Sequence, residues 1–107
     1  MKKLQGLNEA LVTFAGSPLT YQEVGETDTK PLTRKIAILN CLGSMQTDNG
    51  LASIRVYGLG TQLYKTEDTF DLKGDDLVLL QKAVEQNKPG YVPFIQGQLL
   101  EYLGVSE

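Results

Sequence analysis

Two helix-length amphipathic runs joined by an abrupt break occupy residues 69–104, and they narrow sharply what the chain can fold into. In the first, Leu77, Leu80 and Val84 recur at i, i+3 and i+7, and Leu79 and Ala83 widen that stripe into a face that has to be buried. In the second, Ile95, Leu99 and Tyr102 give the same kind of face, with Leu100 and Leu103 beside them. Between them, Asn87-Lys88-Pro89-Gly90 reads as a turn, because proline lacks the N–H a helix needs and glycine accepts backbone angles that other residues avoid. The spacing predicts a helical hairpin over 74–87 and 93–103, forming the base on which the N-terminal two-thirds of the chain packs. Asp75 and Asp76 fall in the first turn of the leading helix, where carboxylates complement the positive end of its dipole, and Lys82 and Lys88 suit the other end. Pro93 lies where a helix start tolerates it, Gly104 reads as a C-terminal cap, and Gly97 reads as a close helix contact.

Upstream, Leu32, Ile36, Leu39 and Leu42 form a stripe with Thr33 as its N-cap, which predicts a helix over 33–43. Residues 47–64 are open to two readings. As a helix capped by Asp48 or Asn49, the segment places Ala52, Val56, Leu59 and Leu63 on one face. As a strand, Ile54-Arg55-Val56-Tyr57 alternates behind an Asn49-Gly50 turn. Gly58 and Gly60 each cost a helix roughly 1 kcal/mol relative to alanine. The four-position stripe nevertheless spans too many residues for a half-buried strand, and a helix over 50–64 is the expectation.

Nearer the start, the β-rich runs 11–14 and 19–24 flank Gly16-Ser17-Pro18 and predict a hairpin, with Val12 and Phe14 on one side of the first arm and Leu19 and Tyr21 on one side of the second. A hairpin alone is marginal in water, and 69–72 is a candidate third strand. The polar stretch 25–30 reads as a link, and residues 1–10 hold at most a weak helical turn. The expected architecture is α+β and mostly helical, with about four helices and a small N-terminal β-hairpin in one domain over 1–107. Residues 1–8 and 105–107 are the expected loose ends.

At 41% hydrophobic and 21% charged residues the chain is built to fold, and its length of 107 residues suits one core. The net charge of −3 argues against a dedicated nucleic-acid surface, which needs clustered lysine and arginine. With no histidine and a single cysteine, imidazole-based catalysis, an internal disulfide and cysteine-rich zinc sites are all excluded. Cys41 sits in an apolar run with no cationic neighbour and reads as a small core residue. Gln5, Asn8 and Glu9 interrupt any signal-peptide core, and no run reaches a membrane span, so an intracellular, reducing setting is expected.

Gly58-Leu59-Gly60 opens like a dinucleotide fingerprint but lacks its third glycine and a preceding strand, and the acids of 71–76 do not follow a calcium-loop pattern. Asp75 and Asp76 are adjacent, so on a helix they diverge by about 100° and cannot act as an acid and base pair. No catalytic, cofactor-binding or metal-ligating residue is assigned, and no small-molecule substrate is expected. Tyr57, Tyr64, Tyr91 and Tyr102 combine apolar area with a polar tip, which suits interface anchors and core edges alike. The expected partner-contact set is Glu67, Asp68, Asp71, Asp75, Tyr91 and Tyr102.

Several of these features together resemble a group of small phage and prophage proteins of about this length. The match runs over residues 32–103: Leu32-Thr33-Arg34 before a helix, Leu63-Tyr64 closing the next, then Phe70-Asp71-Leu72, the Asp76-Leu77 and Leu80 helix, the Lys88-Pro89-Gly90-Tyr91 break before Pro93, and the Gly97-Gln98-Leu99-Leu100-Glu101-Tyr102-Leu103 ending. Gly58 and Gly60 depart from it, since that group carries stronger helix formers there. The resemblance implies a prophage-encoded protein of unassigned role, often encoded near virion or assembly genes, and carries over no catalytic residue. The expectation is a non-enzymatic protein acting by protein contact or self-association in virion structure or assembly, in the host cytoplasm or the virion. The alternative is a small nucleic-acid-binding regulator whose basic end is Lys2, Lys3, Lys30, Arg34 and Lys35.

Overall fold

A computed structural model describes residues 2–12, 15–21 and 29–104. Along them run β1 (Lys2–Leu4), β2 (Thr20–Tyr21), β3 (Lys30–Pro31), α1 (Arg34–Gly43), α2 (Gly50–Lys65), β4 (Phe70–Leu72), α3 (Gly74–Gln86) and α4 (Pro93–Tyr102). The class is α+β and mostly helical, as the sequence patterns predict.

Helix starts follow local chemistry. The Thr33 hydroxyl accepts from the Ile36 N–H at 3.2 Å and the Asn49 side chain accepts from the Ala52 N–H at 2.9 Å, each satisfying a donor that has no partner inside its helix. α2 runs unbroken through Gly58 and Gly60, which settles its two readings in favour of the helix. α3 stops where Asn87 turns left-handed at φ 48°, and the Asn87 side chain then brackets Tyr91, accepting from its N–H at 2.9 Å and donating to its carbonyl at 2.6 Å. Gly90 and Gly104 both take positive φ, so the break and the final cap lie where glycine predicts them.

α1 is the central element: it packs against α2, α3 and α4, while α3 also packs on α4. The expected base of two C-terminal helices is thus completed by a third. The deepest face of α1 is Ala37, Ile38, Cys41 and Leu42, with Ile36 and Leu39 only half-buried, so the burial stripe is rotated from the one the leucine spacing implies. Leu59 and Leu63 of α2, Leu80, Ala83 and Val84 of α3, Leu99 of α4 and Leu103 just beyond it close the core. Burying each such leucine contributes about 1.5–3 kcal/mol.

The N-terminal third departs from expectation in its pairing. Residues 2–4 form a strand antiparallel to β4, with Leu4 opposite Phe70 and Lys2 opposite Leu72, so the strand expected at 69–72 exists but serves the start of the chain. Leu4 and Leu7 are fully buried, so the described part of the loose end expected at 1–8 is anchored at these two residues, while Met1 lies outside the described residues. Apolar side chains at both positions make the reason plain: burying them more than offsets the entropy of ordering the segment. The expected hairpin survives as a turn, in which Val12 bridges Pro18 and the Leu19 N–H donates to the Leu11 carbonyl at 2.7 Å. Its second arm instead pairs β2 with β3, bringing Lys30, expected in a link, into a strand. Thr13, Phe14 and residues 22–24 of that prediction, residues 25–28 of the expected link, and the expected loose end at 105–107 lie outside the described residues. Gly97 also differs: among the described residues a Cβ there would meet nothing within 4 Å, so none of the described helices approaches it closely.

Candidate functional site

Since α1 occupies the centre, α2 is held from one side. Of the helices, α1 is its main packing partner, and an ion pair from Arg55 to Asp76 at 3.2 Å ties it to the start of α3. The inward stripe of α2, Leu59 and Leu63 with half-buried Ala52 and Val56, meets that demand. A second apolar stripe points away: Leu51 is 80% exposed, Ile54 69%, Tyr57 77% and Tyr64 72%. Four large apolar side chains on one helix, each mostly open to water, form an uncovered surface of a kind that soluble chains seldom keep without use.

That stripe continues into a cleft of about 500 Å³ between α1 and α2. Leu39, Leu42 and Met45 form its floor on the α1 side, and Val56, Tyr57 and Tyr64 its wall on α2. Gly60 faces Leu42 here, its Cβ position standing at an ordinary contact distance of 3.5 Å. The polar groups on the lining are the hydroxyls of Thr47, Ser53, Thr61 and the two tyrosines, with no carboxylate or amine. Such a lining can bury apolar groups and hydrogen-bond at its edge, but it holds no acid or base poised near neutral pH. Lys35, whose ammonium donates to the Thr66 carbonyl, lies 5.8 Å from the Tyr64 ring and covers one side of it.

The tyrosines divide in a way the sequence left open. Tyr91 and Tyr102, both in the expected contact set, are half-buried and use their hydroxyls internally. The Tyr91 hydroxyl accepts from the Asn40 amide at 2.8 Å, and Tyr102 donates to the Gln5 carbonyl at 2.7 Å while its ring lies 4.5 Å beneath the Arg34 guanidinium. Burial raises the Tyr91 hydroxyl above its ordinary value, and raises Tyr102 to about 12 against the lowering effect of Arg34. Burial likewise raises the Cys41 thiol to about 11, consistent with a core residue.

The expected acids also scatter. The Asp68 carboxylate accepts from the N–H groups of Gly6 and Asn8 at 3.2 and 3.1 Å, so it organises the N-terminal loop. Glu67 and Asp71 are exposed, with Asp71 facing Lys3 across the β1–β4 ladder, and Asp75 lies exposed in the first turn of α3. Of the basic end, Arg34 pairs with Glu9 at 3.0 Å and Lys35 is engaged as above. Among the described residues no three Cys, Asp or Glu side chains gather as metal ligands, and no helix is long and apolar enough to cross a membrane.

No protein-family model, curated protein or solved structure matches the chain.

Proposed function

We propose that this chain works by protein contact, through the outward stripe of α2 and the cleft beside it. The observation that carries the reading is the exposure of Leu51, Ile54, Tyr57 and Tyr64 along one helix while the opposite stripe of the same helix is buried. Two of the four are tyrosines, the kind of rigid, partly apolar side chain that dominates binding energy when a partner desolvates it. The sequence resemblance of residues 32–103 to small phage and prophage proteins directs that contact toward virion structure or assembly in a host cell.

The test is recovery of partners from a phage-producing lysate with the full chain and with the Ile54→Asp variant. Ile54 is exposed, so the variant folds and isolates the surface. A defined species retained by the parent and lost by the variant supports the reading. Equal recovery by both overturns it.

A further inference from the structure

We propose that the occupant of the α2 stripe is a second copy of this chain, its α2 packed antiparallel across a two-fold axis between Tyr57 and Gly58. The proposal rests on the reading of that stripe as a contact surface and names its partner.

The stripe is complementary to itself when reversed. A two-fold axis midway between residues 57 and 58 sets Leu51 opposite the partner copy's Tyr64, Ile54 opposite its Thr61, and Tyr57 opposite its Gly58. Ile54 thereby meets the smaller Thr61, and Gly58 meets its own copy beside the axis. Among the described residues a Cβ on Gly58 would meet nothing within 4 Å, so the backbone there is open for the partner copy's Gly58 to approach beside the axis. This also gives a reason for a glycine in mid-helix, where it costs stability and no neighbour among the described residues demands it. Isologous pairing of this kind repeats every contact twice, which a surface matching its own reverse satisfies without further tuning.

Charge agrees with the same register. Lys65, in the last turn of α2, falls opposite the partner copy's Gly50, next to the exposed Asp48 that precedes the helix. Neither Lys65 nor Asp48 forms an ion pair among the described residues. Reversal places each lysine beside an aspartate at both ends and sets the helix dipoles antiparallel. A parallel pairing would set Lys65 against Lys65.

The area is adequate for a weak dimer. Leu51, Ile54, Tyr57 and Tyr64 together offer about 400–500 Å² per copy. The lower bound for a specific interface is about 1,000 Å² in total, or about 500 Å² a side. Thr61 and Lys65 on the same face supply the remainder, so a weak, concentration-dependent association is expected.

Sedimentation velocity on the full chain from about 1 to 300 µM, with cysteine cross-linking of variants under mild oxidation, tests this; buried Cys41 stays silent. The parent is expected to pass from monomer to dimer with concentration, and Ile54→Asp to remain monomeric. Gly58→Cys, close to the axis, cross-links to itself. Leu51→Cys does not, its two copies lying about 20 Å apart along the helices, but it cross-links when mixed with Tyr64→Cys. The mixed pair Ile54→Cys and Thr61→Cys keeps the test open if Gly58→Cys fails to fold. Self-cross-linking of Leu51→Cys overturns the antiparallel register. A parent monomeric at every concentration overturns the dimer, and the lysate comparison then separates the two readings: loss of a partner in Ile54→Asp leaves the contact surface standing, and no loss removes both.

Discussion

The Tyr102 hydroxyl donates to the Gln5 carbonyl at 2.7 Å, joining the last helical turn to the residue after the first strand across 97 positions of sequence. Other long-range ties reinforce it. The Gln98 amide both donates to the Val12 carbonyl at 2.8 Å and accepts from its N–H at 3.2 Å, and the Gln86 side chain treats Gln46 the same way. Side-chain amides thus stand in for strand partners where the chain has too few strands to satisfy its own backbone.

Removing the Tyr102 hydroxyl should therefore have a modest cost. Tyr102→Phe is expected to lower stability by about 0.5–1 kcal/mol, the value of a partly exposed hydrogen bond. Tyr102→Ala, which also removes the ring beneath Arg34, is expected to cost about 2–3 kcal/mol. Urea unfolding of the three proteins checks both values.

Glycine substitutions should separate by position. Gly6 has φ +75°, and a Cβ there would stand 2.9 Å from the Arg34 guanidinium, so Gly6→Ala is expected to destabilise by more than about 1 kcal/mol. Gly58→Ala and Gly60→Ala fill open or ordinary space in a helix, and each is expected to raise monomer stability by about 0.5–1 kcal/mol in thermal unfolding of dilute protein.

Alkaline pH should weaken the fold through the buried Cys41 thiol and the half-buried Tyr91 and Tyr102 hydroxyls. Burial raises Cys41 from 9.0 to about 11, Tyr102 from 10.0 to about 12, and Tyr91 in the same direction. A raised value means the folded state favours the protonated form. The stabilisation is thus fully present below the unfolded values and lost as pH climbs from about 9 to about 12. Denaturation midpoints should not change on account of these three groups between pH 7 and 8.5 and should fall above pH 9. A thiol reagent should meet Cys41 about 1,000-fold more slowly in the folded chain than in urea, since only opening exposes it.

The two stripes of α2 make opposite predictions. Ile54→Lys on the outer one is expected to change monomer stability by less than about 0.5 kcal/mol, whereas Leu63→Lys on the inner one buries an unpaired charge and is expected to prevent folding. Circular dichroism of the dilute variants distinguishes them.

What the sequence disclosed was local. Thr33 and Asn49 announce helix starts because a cap is written within four residues, and Asn87 to Gly90 announce a break for the same reason. The pairing of Leu4 with Phe70 was not legible, since nothing near either residue names a partner more than 60 positions away. The same limit hid the contact surface. Helical spacing marks Ala52, Val56, Leu59 and Leu63 as one face, yet Leu51, Ile54, Tyr57 and Tyr64 form a second apolar stripe beside it, and only the packing of α1 decides which stripe is covered. Composition alone could not separate Tyr91 and Tyr102, which brace the fold, from Tyr57 and Tyr64, which face outward.

The most direct measurement is hydroxyl-radical labelling of side chains in a producing lysate and in dilute purified protein. The outer stripe of α2 is predicted to be shielded in the lysate, with labelling of Leu51, Ile54, Tyr57 and Tyr64 several-fold lower than in the dilute sample while exposed Val92 reacts equally in both. Equal labelling of Tyr57 and Tyr64 in the two samples would contradict the claim that this face meets a protein.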